Sequence, residues 1–358
     1  VTVDLFRPAD NRGTYAIGDR YSGIEGVSGS AFSDRLLGNS AANRLHGNAG
    51  HDHLTGRAGN DSLAGENGHD RLAGGTGADW LNGGPGRDLA DYGAAASAVL
   101  ADLANPAANQ GAEAAGDHYA QIEGLIGSAF ADRLSGDGLA NLLQGQAGTD
   151  RLFGRQGNDT LQGSSGNDWL DGGAGADRLE GGDGFDLADY AGSTAAVWAD
   201  LALATPGRGA ATGDRFLGIE GIRGTRLADQ LSGDNRANWL LGGAGNDTLI
   251  GRAGADHLVG GEGVDLAGYG GASTGLLVDL ARPQDNTGDA AGDRFDRIEG
   301  LAGSAYADTL LGDGGGNLLM GGAGNDRLEG REGSDTLQGG AGADQMVGGA
   351  GQDLASYA

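Results

Sequence analysis

The chain has 358 residues, no cysteine, 76 glycines and a formal charge of −27. Disulfides and thiolate metal sites are therefore excluded, and no apolar run is long enough to span a membrane as a helix. With 23 basic residues against 50 acidic ones, nucleic acid is not an expected partner, because phosphate is held by Lys and Arg.

The chain opens on an alternating apolar stretch, Val1-Thr2-Val3-Asp4-Leu5, followed by a looser segment that reaches a Gly-Asp at Asp19 and an Ile-Glu-Gly at Glu25. A nine-residue frame then starts, with Gly at position 1, Gly or a substitute at position 2, Gly at position 4, Asp at position 6 and an aliphatic residue at position 8. The first block places frame-6 residues at Asp34, Asn43, Asp52, Asp61, Asp70, Asp79 and Asp88, and closes on Asp88–Tyr92. The cycle repeats from Val99. The second block runs Asp132, Asn141, Asp150, Asp159, Asp168, Asp177 and Asp186, closing on Tyr190. From Val197 comes a shorter block, Asp229, Asn238, Asp247, Asp256 and Asp265, closing on Tyr269. From Leu276 comes the last, Asp308, Asn317, Asp326, Asp335, Asp344 and Asp353, ending near Tyr357.

Successive apolar stretches are 98, 98 and 79 residues apart. The short unit lacks two nonapeptides and one further residue, a deletion that only a stackable repeat tolerates. Four units are expected: 1–98 with its repeat block at about 24–92, 99–196 with 122–190, 197–275 with 219–269, and 276–358 with 298–357. Their phase reads as a stretch of a longer array.

The Gly-rich half of the nonapeptide suits tight turns with positive φ. The Asp-x-Leu half suits a three-residue strand whose Asp and Leu share one side. Two nonapeptides then make one coil, residues 18 apart stack, and the strands are parallel. The predicted fold is all-β, a parallel β-roll or β-solenoid in tandem blocks. The inter-block segments are expected to be irregular or to carry longer strands capping each roll.

One buried aliphatic per nine residues is a thin core, and stacked Asp carboxylates repel one another. A hard cation between the turns answers both. Ca²⁺ takes 6–8 oxygen ligands and accepts carbonyls beside carboxylates. Mg²⁺ demands stricter geometry, and Zn²⁺ lacks its Cys and His. Seventeen in-register copies of the Gly-x-Asp motif resemble the GGxGxD repeat of the RTX (repeats-in-toxin) calcium-binding family, a β-helix signature. The resemblance implies Ca²⁺ held by Asp side chains and turn carbonyls, secretion in an unfolded state, and folding in external calcium.

The expected metal ligands are the frame-6 aspartates: Asp34, Asp52, Asp61, Asp70, Asp79 and Asp88; Asp132, Asp150, Asp159, Asp168, Asp177 and Asp186; Asp229, Asp247, Asp256 and Asp265; and Asp308, Asp326, Asp335, Asp344 and Asp353. Spacing gives 13 Asp/Asp pairs, or 17 if the frame asparagines take part, hence about 13–17 Ca²⁺ per chain. Frame position 2 is often not Gly (Asn48, Arg57, Glu66, Gln146, Arg155, Ser164, Arg252, Arg331), as ligation by a carbonyl permits. Asp4, Asp102, Asp200 and Asp279 read first as turn caps. Trp80, Trp169 and Trp239 share an outward position, and His51 and His69 should stack.

No HExxH or P-loop is present, and no enzyme is expected. Ice binding would need a Thr/Asx face where this frame has mostly Ala. The leading reading is a calcium-binding structural repeat region of a secreted or cell-surface bacterial protein of adhesin, matrix or filament type. The alternative is the secretion and folding domain of an exported protease, lipase or epimerase. Calcium, neighbouring copies of the array and cell-surface components are the expected partners.

Overall fold

A computed structural model describes residues 1–202 and 207–357, and divides them into two compact units, 1–186 and 187–358. In each, the frame aliphatics stack exactly one coil apart in register terms: Leu36 pairs with Leu54 and Leu54 with Leu72, while across the coil Leu45 pairs with Leu63 and Leu63 with Leu81. All these strands are parallel. The leucines are fully buried, each contributing roughly 2–3 kcal/mol of apolar burial. Backbone hydrogen bonds run along the coil axis, so the sheet is built by stacking turns rather than by hairpins. Among the described residues no helix is long and apolar enough to cross a membrane.

Turn geometry explains which glycines the frame keeps. From the third turn of each block onward, frame position 2 sits in the left-handed region, with φ of 77° at Asn48, 83° at Arg57 and 82° at Ser164, a region non-glycine residues reach at modest cost. Position 4 lies further out, with φ of 156° at Gly68 and 134° at Gly166. There a Cβ would collide with the carbonyl of the coil above, Gly50 O or Gly148 O. From the third turn of each block onward, position 2 therefore varies and position 4 does not; the leading turns carry other residues at position 4, such as Phe32, Phe130, Leu227 and Tyr306.

The segments between blocks correct one expectation. They carry short strands, not long ones, and one sheet runs straight past them. In the first unit, strand Leu89–Asp91 pairs directly with Gly124–Ile126, skipping residues 92–123. On the opposite side, Trp80–Asn82 pairs forward with His118–Ala120, and Leu100–Asp102 pairs with Arg133–Ser135. One sheet ends and another begins while the facing sheet continues. The second unit does the same, with Leu266–Gly268 pairing Gly300–Ala302, His257–Glu262 pairing Arg294–Asp296, and Leu277–Asp279 pairing Thr309–Leu311. Each Val-x-Val-Asp-type stretch is thus a starter strand. Antiparallel bridges fold the connector back on it, Thr2 to Arg12 and Leu100 to Gln110.

Candidate metal centre

The frame-6 carboxylates point inward with the leucines, and in the interior of each block they are buried. One oxygen of each has a fixed task. Asp52 Oδ1 accepts the backbone N–H of Asp34, Asp70 Oδ1 that of Asp52, and Asp88 Oδ1 that of Asp70, each at 2.7 Å. The other column repeats this, with Asp61 serving Asn43 at 2.6 Å and Asp79 serving Asp61 at 2.7 Å. The second block matches: Asp150 serves Asp132, Asp159 serves Asn141 and Asp168 serves Asp150. Each of these frame-6 N–H groups is thereby satisfied by the turn one coil on.

The second oxygen is the informative one. The Oδ2 atoms of Asp52, Asp61, Asp70, Asp79, Asp88, Asp150, Asp159, Asp168, Asp247, Asp256, Asp265, Asp326 and Asp335 are buried without a hydrogen-bond partner. They are not in open space. A Cβ built on Gly47 would overlap both Asp52 Oδ2 and the Gly65 carbonyl, and one on Gly163 would overlap Asp168 Oδ2 and the Gly181 carbonyl. Carboxylate and carbonyl oxygens thus converge where only glycine leaves room. A buried, unpaired anionic oxygen is costly, and convergence on further oxygens makes it worse unless a cation stands between them. No three His, Asp or Glu side chains among the described residues come together on one point. Any one centre would draw on at most two carboxylates, with main-chain carbonyls as the remainder. That donor set, all oxygen and without nitrogen or sulfur, fits Ca²⁺.

The ladders end on groups that the nonapeptide frame does not include. Asp79 N–H is accepted by Asp117 Oδ1 at 2.9 Å, and Asp88 N–H by Glu123 Oε2 at 2.8 Å. In the second unit Asp293 and Glu299 do this for Asp256 and Asp265. The closing tyrosines complete the job: Tyr92, Tyr190 and Tyr269 donate their hydroxyls to Asp117, Asp214 and Asp293 at 2.8, 2.7 and 2.7 Å. The sequence signal was the Gly-Asp that follows each closing Tyr by 24 or 25 residues. Asp344 and Asp353 occupy the ladder as well, accepting from Asp326 and Asp335 at 3.0 and 3.1 Å, but lie less buried.

Asp4, Asp102, Asp200 and Asp279 are turn caps, and more. Asp4 Oδ1 accepts the N–H groups of Phe6 and Arg7 at 2.8 Å. The same carboxylates take a bidentate arginine: Arg57 on Asp4, Arg155 on Asp102, Arg252 on Asp200 and Arg331 on Asp279, all at 2.6–2.8 Å. Outside, His51 and His69 do stack, with ring centroids 5.0 Å apart, and His51 Nδ1 accepts the N–H of His69 at 2.9 Å. Both half exposed, Trp80 stacks on His118 and Trp239 meets His257 edge-on.

Burial governs the carboxyls. In the metal-free fold it pushes Asp61 up to about 6 and Asp79, Asp88, Asp150, Asp159, Asp247 and Asp256 up to about 7. The folded chain therefore binds protons that the unfolded chain releases. Their contribution is fully present below the ordinary carboxylate range and is lost as pH rises through about 7. Without calcium, β content is expected to rise when pH is lowered from about 8 to about 5. Circular dichroism in chelator checks this, and a β signal that is flat or falls on acidification would contradict it.

A family model described as RTX calcium-binding nonapeptide repeat (4 copies) matches residues 28–63, 64–96, 126–161, 154–188, 232–267, 291–328 and 320–355. No curated protein matches the chain.

Proposed function

The chain belongs to the RTX calcium-binding nonapeptide repeat family, and from that premise we propose that it is a calcium-rigidified structural segment of a secreted or cell-surface bacterial protein of adhesin, matrix or filament type. The observation that carries this reading is the interior itself. Block after block, buried carboxylates with one oxygen left over converge on main-chain carbonyls, an arrangement that suits cations held between turns. The connectors do not interrupt that architecture but thread one sheet through it.

Such a segment is secreted without its stiffness and acquires it where calcium is abundant, because the carboxylates repel until an ion stands between them. The acidic composition keeps the uncalcified chain extended. Copies of the array, or cell-surface components, are the partners its repetitive surface suits.

The rival role, a folding and secretion domain of an exported enzyme, uses the same roll. The coding sequence upstream of Val1 separates them. Further 98-residue units there support the structural role, and a catalytic motif there replaces it.

A further inference from the structure

The first two turns of every block differ from the rest. They are the turns headed by Asp34 and Asn43, Asp132 and Asn141, Asp229 and Asn238, and Asp308 and Asn317. In all later turns frame position 2 has a positive φ, whatever its side chain. In these eight it does not: Ser30, Asn39, Ser128, Asp137, Thr225, Asp234, Ser304 and Asp313 are absent from the left-handed region. In these eight turns the position-2 N–H donates to the frame-6 side chain of its own turn.

The consequence is a closed turn. Asp132 Oδ2 accepts the N–H of Ser128, and Ser128 Oγ donates to both carboxylate oxygens at 2.8 and 3.0 Å. Asp132 Oδ1 also takes the N–H of Val99 from the starter strand at 2.8 Å. Asp229 and Asp308 are closed the same way by Thr225 and Ser304. In the second turn Asn141 Oδ1 accepts the N–H of Asp137 at 2.8 Å while its Nδ2 donates to the Glu123 carbonyl at 3.3 Å. The frame-1 carbonyl of that turn, Gly136 O, is taken by the Arg155 guanidinium, which Asp102 holds from the other side. Arg57, Arg252 and Arg331 do this to Gly38, Gly233 and Gly312. Where later turns leave the Oδ2 of Asp52, Asp61, Asp150, Asp159 and Asp247 unpartnered, these turns offer N–H donors and a fixed positive charge.

We infer that the two leading turns of each unit are metal-free caps, in which N–H donors and one arginine replace the calcium ions of the rest of the row. This rests on the calcium reading above and restricts where it applies. Ion sites then need both aspartates in later turns: Asp52/Asp70, Asp61/Asp79 and Asp70/Asp88; Asp150/Asp168, Asp159/Asp177 and Asp168/Asp186; Asp247/Asp265; Asp326/Asp344 and Asp335/Asp353. That leaves nine pairs by the 18-residue register, below the 13–17 that spacing alone suggests. It also gives each unit an end whose order does not depend on calcium, an anchor from which the coil can be laid down.

The test counts bound Ca²⁺ by native mass spectrometry on the full chain and three variants. Asp132→Asn, which keeps the cap as Asn141 does, is expected to bind as many ions as the parent. Asn141→Asp is expected to gain none. Asp168→Asn is expected to lose ions, since it serves two later-turn pairs. Loss of an ion in Asp132→Asn, or a gain in Asn141→Asp, would overturn the cap assignment while leaving the calcium reading intact. An Asp168→Asn chain that keeps every ion, or a parent that binds none, would overturn both.

Discussion

Asp168→Ala is expected to raise the calcium concentration needed for folding far more than Glu180→Ala does. Asp168 is fully buried, and its Oδ1 accepts the Asp150 N–H at 2.8 Å. Truncation leaves that N–H buried and unpaired, a loss of roughly 1.5–3 kcal/mol for a charge-assisted bond. It also removes one carboxylate from each of two stacked pairs, with Asp150 above and Asp186 below. Glu180 lies on the outer face, where it accepts from Gln162 at 2.7 Å and pairs with Arg178. Surface pairs of that kind contribute about 0–1 kcal/mol. The midpoint of the calcium-induced β signal checks both variants. Equal midpoints would mean that the inward row carries no special burden.

Gly166→Ala is expected to be at least as damaging, by a different route. Its φ of 134° lies outside the range of L residues, and a Cβ there would collide with the Gly148 carbonyl. The coil must open to admit one methyl group, which separates two layers of the ladder at once. Backbone strain of this kind costs about 1–3 kcal/mol, and the clash with the carbonyl adds to it. Ser164, two residues earlier, already carries a side chain at φ 82°, so Ser164→Ala is the matched control and should change little. Thermal unfolding in saturating calcium compares the two. A Gly166→Ala chain melting with the parent would show that the stacked turns are looser than the geometry requires.

The repeat itself was legible in the sequence because its signals are local. Leu152, Leu161 and Leu170 lie inward, as the alternation of Asp-x-Leu requires, and the register of 18 follows from two nonapeptides per coil. The inward Asp row was legible for the same reason. What was not legible depends on contacts between residues far apart. Arg57 meets Asp4 across 53 positions, and nothing in the nonapeptide announces that pairing. A hint did exist: in each unit the Arg sits at frame position 2 of the turn that follows the Asn-headed turns by one coil. The connectors failed differently. Their Ala and Gly residues favour no element, so the return of Gly124–Ile126 to Leu89–Asp91 is decided by stacking on an existing edge rather than by local preference.

The central claim, that calcium between the turns makes the fold, is tested most directly by titrating calcium into the chelated chain at neutral pH while following far-ultraviolet circular dichroism. The account predicts a largely disordered spectrum without calcium and a cooperative rise of β signal as the ion is added, reversed by EGTA. A β spectrum that is already complete in EGTA and unchanged by calcium would contradict it.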